Sequence, residues 1–378
     1  IAALLVVFHH TVLASSPALA EQYAAPTHYA AWSVDWLFAR TPLHLLWAGP
    51  EMVVIFFVLS GYVLALPAVK RGASWLDRSY YPRRLARLYL PVWGSVVVAA
   101  VAHALVSRHD VAGASWWLDA HAVGMSLPVA FKTASLASLS QGAWQYSSVL
   151  WSLQYEVAFS VLLPAFLWLA LMTRDRPRGA LALAAASLAV TAVGAATDHG
   201  ALRYMPIFML GCLLAFHTDR LRPRRVPATA TLALTLLGIV LLTTGYWAQD
   251  TGIGSAGSLA ALAIVVGACV IVWLAIVSQS ARDVLDTRPV RWLGSRSFSL
   301  YLVHEPIVVA LAFALGGRPG VGTLLLIAVP LSLLVAEVFW VVVENPSIKA
   351  ARALGRLARG RAGIQLSAPG EVQNRAAP

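Results

Sequence analysis

The sequence predicts an all-α, polytopic membrane protein of about ten transmembrane helices with both termini cytoplasmic, and three observations carry that prediction. First, 59% of the 378 residues are apolar and only 12% are charged, against roughly 25% charged in an ordinary soluble domain. The 28 Lys+Arg and 17 Asp+Glu cannot furnish a water-facing surface for a chain of this length, which argues against a soluble enzyme, a disordered linker or a secreted disulfide scaffold. Second, the apolar residues fall into runs near the roughly 20 residues needed to cross a bilayer core. Third, Lys and Arg are concentrated in alternate loops, as in cytoplasmic loops of polytopic proteins. The net charge of +11 is therefore topological and implies no nucleic-acid partner.

The first run, residues 1–14, is short and is followed by Ser16-Pro17-Ala18-Leu19-Ala20, which looks like a signal-peptidase site. The adjacent His9 and His10 and the lack of a basic n-region argue instead for a first helix whose cytoplasmic turn lies before Ile1. Residues 14–47, with Trp32, Trp36 and Trp47, are expected to lie near the outer interface, where Trp is favoured. The remaining runs cover 48–69, 88–107, 146–172, 179–197, 203–218, 228–248, 257–279, 297–316 and 320–343. The sixth of the ten is short and the weakest. The seventh and eighth are clear, because no formal charge occurs from Val226 to Gln249 or from Thr251 to Ala281.

The loops after the even-numbered runs are basic, with Lys70, Arg71 and Arg78, then Arg174, Arg176 and Arg178, then Arg220, Arg222, Arg224 and Arg225, then Arg282, Arg288 and Arg291. The intervening loops carry mainly Glu21, Asp35, Asp110, Asp119, Asp198 and Asp250. Residues 1–346 read as one transmembrane unit of a multi-pass cell-membrane protein. Residues 347–378 read as a basic cytoplasmic tail, expected to be disordered. Cys212 and Cys269 sit in apolar stretches and read as small buried hydrophobes. No internal repeat of the inverted-repeat transporter kind is visible.

Ionisable groups inside a span are costly and mark functional sites by default. Here they are His10 in the first helix, Glu156 in the fourth, His304 and Glu305 in the ninth and Glu337 in the tenth, with Arg83, Arg84 and Arg87 at the entry to the third. His10 can take up and return a proton near neutral pH, as a general base must; the alternative is a histidine that only hydrogen-bonds a neighbouring helix. His9 lies about 100° away around the helix and reads as a bystander. Glu156, in WSLQYEVAFSVLLP (151–164), is expected in the outer half of the membrane. There it either holds an imidazole in one tautomer, as in hydrolase triads, or sits protonated on a backbone carbonyl. Arg84 and Arg87, in RRLARLYLPVW (83–93), share a helical face and suit bidentate binding of a polyphosphate; the positive-inside signal with lipid headgroups is the alternative. Glu344-Asn345-Pro346 reads as a helix stop. No Walker A, Gly-x-Ser-x-Gly, His-Glu-x-x-His or Cys/His metal spacing occurs. Nucleotide hydrolysis, serine hydrolysis and zinc chemistry therefore lack support, and no metal site is expected.

Five segments in register, IAALLVVFHH (1–10), FFVLSGYVL (56–64), RRLARLYLPVW, WSLQYEVAFSVLLP and LGSRSFSLYLVHEP (293–306), resemble the integral-membrane acyltransferase family 3. That family O-acylates cell-surface polysaccharides, peptidoglycan, lipid-linked sugars and some secondary metabolites. The resemblance spans roughly residues 1–346. It implies that His10 is the family's first-helix histidine, Arg84 and Arg87 its cytoplasmic Arg-x-x-Arg, Glu156 its fourth-helix Glu and His304 its ninth-helix His. Two departures stand out. The family's Arg eleven residues before the histidine falls before Ile1, and Val54-Ile55 stand where an acidic residue is common, with Glu51 the nearest acid.

By the same resemblance there is no permanently bound cofactor. Acyl-coenzyme A, most often acetyl-coenzyme A, is the implied donor, with its phosphates on Arg84 and Arg87. A hydroxyl of a sugar or secondary-metabolite acceptor would enter from the outer side and lose its proton to His10, steadied by Glu156. Tyr301 and His304 would either hydrogen-bond the developing oxyanion or the thioester carbonyl or simply hold their helix to a neighbour. Trp116, Trp117, Trp144 and Gln145 either line a sugar site or simply sit at the membrane interface. The competing class is a proton-coupled transporter of a small molecule, in which the same His and Glu form a proton relay. A sensor or scaffold would instead tolerate apolar residues at His10 and Glu156.

Overall fold

The structure, a computed structural model, describes residues 1–24, 27–71, 77–136, 146–223, 226–249 and 257–364, without the side chains of 71 and 360–364. Among these residues the regular elements are all helical, as they must be where lipid offers the backbone no hydrogen-bond partners. The main helices are α1 (Ala2–Ser15), α2 (Gly49–Arg71), α3 (Tyr80–Leu105), α4 (Leu150–Met172), α5 (Pro177–Ala196), α6 (Gly200–Leu221), α7 (Ala228–Leu242), α8 (Gly257–Val277), α9 (Arg288–Ala314) and α10 (Val321–Phe339). Eight are long and apolar enough to cross a membrane; α1 and α7 are shorter apolar helices. The predicted polytopic architecture is what the chain adopts.

Boundaries depart from the expected ones where charge is satisfied inside the protein. α3 starts at Tyr80 rather than near 88, because its charged first turns lie against the middle of α4: the Tyr80 hydroxyl donates to the Ser160 carbonyl at 3.0 Å, and Arg84 Nε donates to Ser160 Oγ at 3.0 Å. α6, the weakest of the apolar runs, is a full 22-residue helix. Half of its most apolar window is inside the protein, against 17% for α5, so neighbouring helices rather than lipid solvate it. The loop after α1 is built of short capped helices, and Trp47 is a core residue at 2% exposure, donating from its indole to the Phe38 carbonyl. Trp32 is 80% exposed, and Trp36 is half-buried with its ring 5.1 Å from that of Trp32.

The C-terminal segment corrects two expectations. Glu344-Asn345-Pro346 does not stop the tenth helix. A π-helical turn, Trp340–Glu344, joins α10 directly to α11 (Asn345–Ile364), and the wider turn accommodates a proline whose ring would clash with the carbonyl four residues back. Residues 347–364 are therefore helical rather than disordered; 365–378 lie outside the described residues. α11 packs on α3, and Arg359 bridges to Asp77 at 3.1 Å and to Ser79 Oγ at 3.0 Å. Bonds from Ser79, with Arg359 beside them, hold the Asp77 carboxyl below its ordinary range.

Two features fix the site. α2 and α6 cross at glycines: a Cβ on Gly61 would lie 2.1 Å from the Phe208 carbonyl oxygen, and one on Gly211 2.1 Å from that of Val58. Both obstacles are backbone and cannot swing aside. Gly61→Ala or Gly211→Ala is accordingly expected to force the helices apart and cost about 1–3 kcal/mol, read as a lowered thermal unfolding midpoint in detergent. The second feature is α9, whose most apolar window is 72% buried, the highest of any span. Every residue from Ser299 to Val309 is buried, so its polar side chains can meet only other protein groups.

Candidate active site

Tyr301 and His304 are three residues apart on α9 and so share a face. His304, fully buried, places Nδ1 2.9 Å from the Leu300 carbonyl and Nε2 2.9 Å from His10 Nδ1. A carbonyl can only accept, so His304 Nδ1 carries a hydrogen, and Nε2 of the neutral ring is a lone pair. His10 Nδ1–H therefore donates to it. This leaves His10 Nε2 as the lone pair of the couple, with no hydrogen-bond partner among the described residues. The chain from the Leu300 carbonyl through His304 to His10 thus fixes the tautomer of His10, the task an aspartate performs in a hydrolase triad. His10 also stacks on Trp117, ring centroids 5.3 Å apart.

The neighbouring Glu305, four residues from Tyr301 on α9, is fully bonded. Its carboxylate accepts from His121 Nε2 at 3.0 Å and from the backbone N–H groups of Ser148 and Val149 at 2.7 and 2.8 Å. His121 Nδ1 in turn faces the Trp117 carbonyl at 2.7 Å. Both ring nitrogens of His121 thus face oxygen atoms. Trp117 lies between His121 and His10, with ring centroids 4.3 and 5.3 Å away.

A cavity of about 210 Å³ opens between α2, α3, α4, α9 and the π turn. Its polar lining is Ser60, Arg84, Arg87, Ser152, Glu156, Ser297, Tyr301 and Glu344. Arg84 Nη2 pairs with Glu156 Oε1 at 2.6 Å, and Ser60 Oγ donates to the same oxygen at 3.4 Å. Glu344 accepts from Ser299 Oγ and N–H at 2.5 and 3.1 Å. Arg87 makes no hydrogen bond or ion pair among the described residues. The cavity ends at Tyr301, whose hydroxyl donates to the Val149 carbonyl at 2.8 Å and meets Ser152 Oγ at 2.7 Å. His304 stands one turn beyond, its ring centroid 6.1 Å from that of Tyr301.

The structure therefore brings together His10 with His304, and Arg84 and Arg87 with Glu156 and Tyr301. It does not bring Glu156 to His10. A carboxylate in hydrocarbon takes a nearby charge, and the early start of α3 supplies Arg84; His304, not Glu156, orients His10. Tyr301 bridges the two groups but spends its single proton on Val149. His9 is no free bystander, since its Nδ1 bonds the Trp47 carbonyl at 2.9 Å. Glu51 lies away from the cavity, buried and bonded by the Tyr246 hydroxyl at 3.0 Å. Glu337 belongs to a structural pair, accepting two bonds from Arg296 at 2.8 and 3.0 Å. Trp117 is part of the site, whereas Trp116 bonds the Ala20 carbonyl; Trp144 and Gln145 lie outside the described residues. His121 and the Ser148–Val149 clamp were not marked by the sequence. Their residues come from segments far from α9, and a Trp-x-x-x-His spacing on a short helix carries no signal by itself.

A multi-helix membrane protein with a buried histidine couple one turn beyond an arginine-lined cavity is the class that fold and geometry define. Residues 1–341 match the family described as an acyltransferase domain, and the chain belongs to that family, acyltransferase family 3. It is 28% identical over 294 residues to the putative peptidoglycan O-acetyltransferase YrhL of Bacillus subtilis (strain 168), covering 68% of this chain and 44% of that protein. It is 27% identical over 303 residues to the peptidoglycan O-acetyltransferase OatA of Listeria monocytogenes, covering 70% and 46%. The chain thus spans less than half the length of these relatives. No solved structure matches.

Proposed function

We propose that the chain moves an acyl group, acetyl by analogy with the peptidoglycan O-acetyltransferases it resembles, from acyl-coenzyme A to a hydroxyl of a cell-surface carbohydrate. The observation that carries this reading is the alignment along α9 of an arginine-lined cavity, Tyr301 and a tautomer-fixed His10. Arg84, held by Glu156, and Arg87, which makes no hydrogen bond or ion pair among the described residues, set two guanidinium groups beside Glu344 in the cavity wall, and a planar guanidinium suits a phosphate. At about 210 Å³ the cavity is smaller than the roughly 300–1,000 Å³ of sites that enclose a whole cofactor-sized ligand. It admits the thioester arm, with the nucleotide at the basic face, the side taken as cytoplasmic from the loop charges.

In the reaction, His10 Nε2 removes the proton of the acceptor hydroxyl as its oxygen attacks the thioester carbonyl. The C–S bond then breaks, and the thiolate takes the proton back from His10, so the couple ends as it began. His304 Nε2 accepts from His10 Nδ1–H throughout and stabilises the transient imidazolium. For the thioester to reach His10, Tyr301 must leave Val149; once released, its hydroxyl is the nearest donor on this face for the developing oxyanion.

Proteoliposomes given labelled acetyl-coenzyme A and a peptidoglycan-type oligosaccharide are expected to yield labelled ester and free thiol in equal amounts. Thiol release without ester, or ester formation from a different donor only, refutes the donor assignment. In the same assay Arg84→Gln together with Arg87→Gln is expected to raise KM for the donor about tenfold or more with a smaller change in kcat, because the bond to phosphate is equal in ground and transition states. An unchanged KM removes the arginines from donor binding.

A further inference from the structure

The molecule has a second large recess, unconnected to the site. A crevice of about 370 Å³ runs between α5, α6 and α8. Its walls are apolar, with Ala180 and Ala184, one turn apart, setting back one side and Leu210 and Leu214 forming the other. Polar groups occur at one end only, where His217 and Arg220 close it. His217 Nε2 is already bonded to Thr173 Oγ1 at 3.1 Å. Arg220 has only a 3.4 Å contact with Asp175, a side chain 90% exposed, and a pair so exposed is weak.

Position and charge together say what fills this crevice. All three helices are membrane-spanning by length and composition, so the medium outside it is lipid. The end closed by Arg220 is the end where Arg174, Arg176, Arg178 and Arg222 cluster, next to the start of α5 and the end of α6. Basic rims on recesses between spans hold anionic headgroups, and an apolar trough set back by alanines takes a chain. We propose that this crevice binds one acyl chain of an anionic phospholipid, with the lipid phosphate on Arg220. None of these residues takes part in the acyl-transfer reading, which stands or falls separately.

The test uses the full chain reconstituted in vesicles of equal phosphatidylcholine and phosphatidylglycerol, exchanged into detergent, with the retained lipid measured by mass spectrometry. Phosphatidylglycerol is expected to be enriched several-fold over phosphatidylcholine. Ala184→Trp, which fills the trough, is expected to return the ratio to that of the vesicles. Arg220→Gln, a change at the exposed rim that leaves folding intact, is expected to lose most of the enrichment while some lipid of either kind is kept. Retention at the bulk ratio by the unaltered chain overturns the site. Enrichment that survives Arg220→Gln overturns the anionic assignment, and if the Trp variant does not insert, the Arg220→Gln result decides alone.

Discussion

A His10→Ala chain is expected to insert, fold and bind donor, yet to transfer acyl groups about 10²–10⁴ times more slowly than the unaltered chain, the usual contribution of a positioned general base. That range corresponds to about 3–5 kcal/mol of transition-state stabilisation. The loss is expected in kcat, because in the proposed reaction the ring touches the acceptor proton only as the new bond forms; donor affinity, assigned by the proposal to Arg84 and Arg87, is expected to stay. Single-turnover transfer measured beside coenzyme A binding separates the two. His304→Ala leaves the base in place but frees its ring to rotate and to choose the other tautomer, so its loss is expected to be smaller than that of His10→Ala. A His10→Ala chain with full activity ends the catalytic reading, and a His304→Ala chain with no defect ends the orienting one.

The second large effect is on stability. Glu305→Ala strands three donors at once, the Ser148 and Val149 N–H groups and His121 Nε2, around a side chain that is fully buried. Each orphaned buried donor costs about 1–3 kcal/mol. Three such losses exceed half the stability of many proteins. The Glu305→Ala chain is expected to fall in yield and to unfold at a much lower temperature in detergent, while Glu305→Gln, which keeps an acceptor oxygen, loses less. If Glu305→Ala unfolds with the unaltered chain, the carboxylate does not hold the start of α4 to α9.

Much of this was legible in the residues. Hydrocarbon permits only internally bonded backbone, so runs of the right length gave the helices, and the cost of a charge in oil singled out His10, Glu156 and His304 before any packing was known. The pairings were another matter. Glu156 read as the holder of an imidazole or as a protonated group on a backbone carbonyl, and it meets neither: its partner is Arg84, because α3 starts eight residues early against the middle of α4. The tail was misjudged because composition alone cannot show that a π turn makes room for Pro346, or that Asp77 waits for Arg359.

The amino-acid order by itself settled the solvent of this protein, its helical class and the short roster of groups able to handle protons or phosphate, because each follows from transfer free energies and local spacing along the chain. Only tertiary structure decided who faces whom: His10 with His304, Arg84 with Glu156, His121 with Glu305. Those contacts join residues 72 to 294 positions apart. Over such separations the choice of neighbour is made by how helices cross, at places such as Gly61 and Gly211, and not by anything a single segment carries.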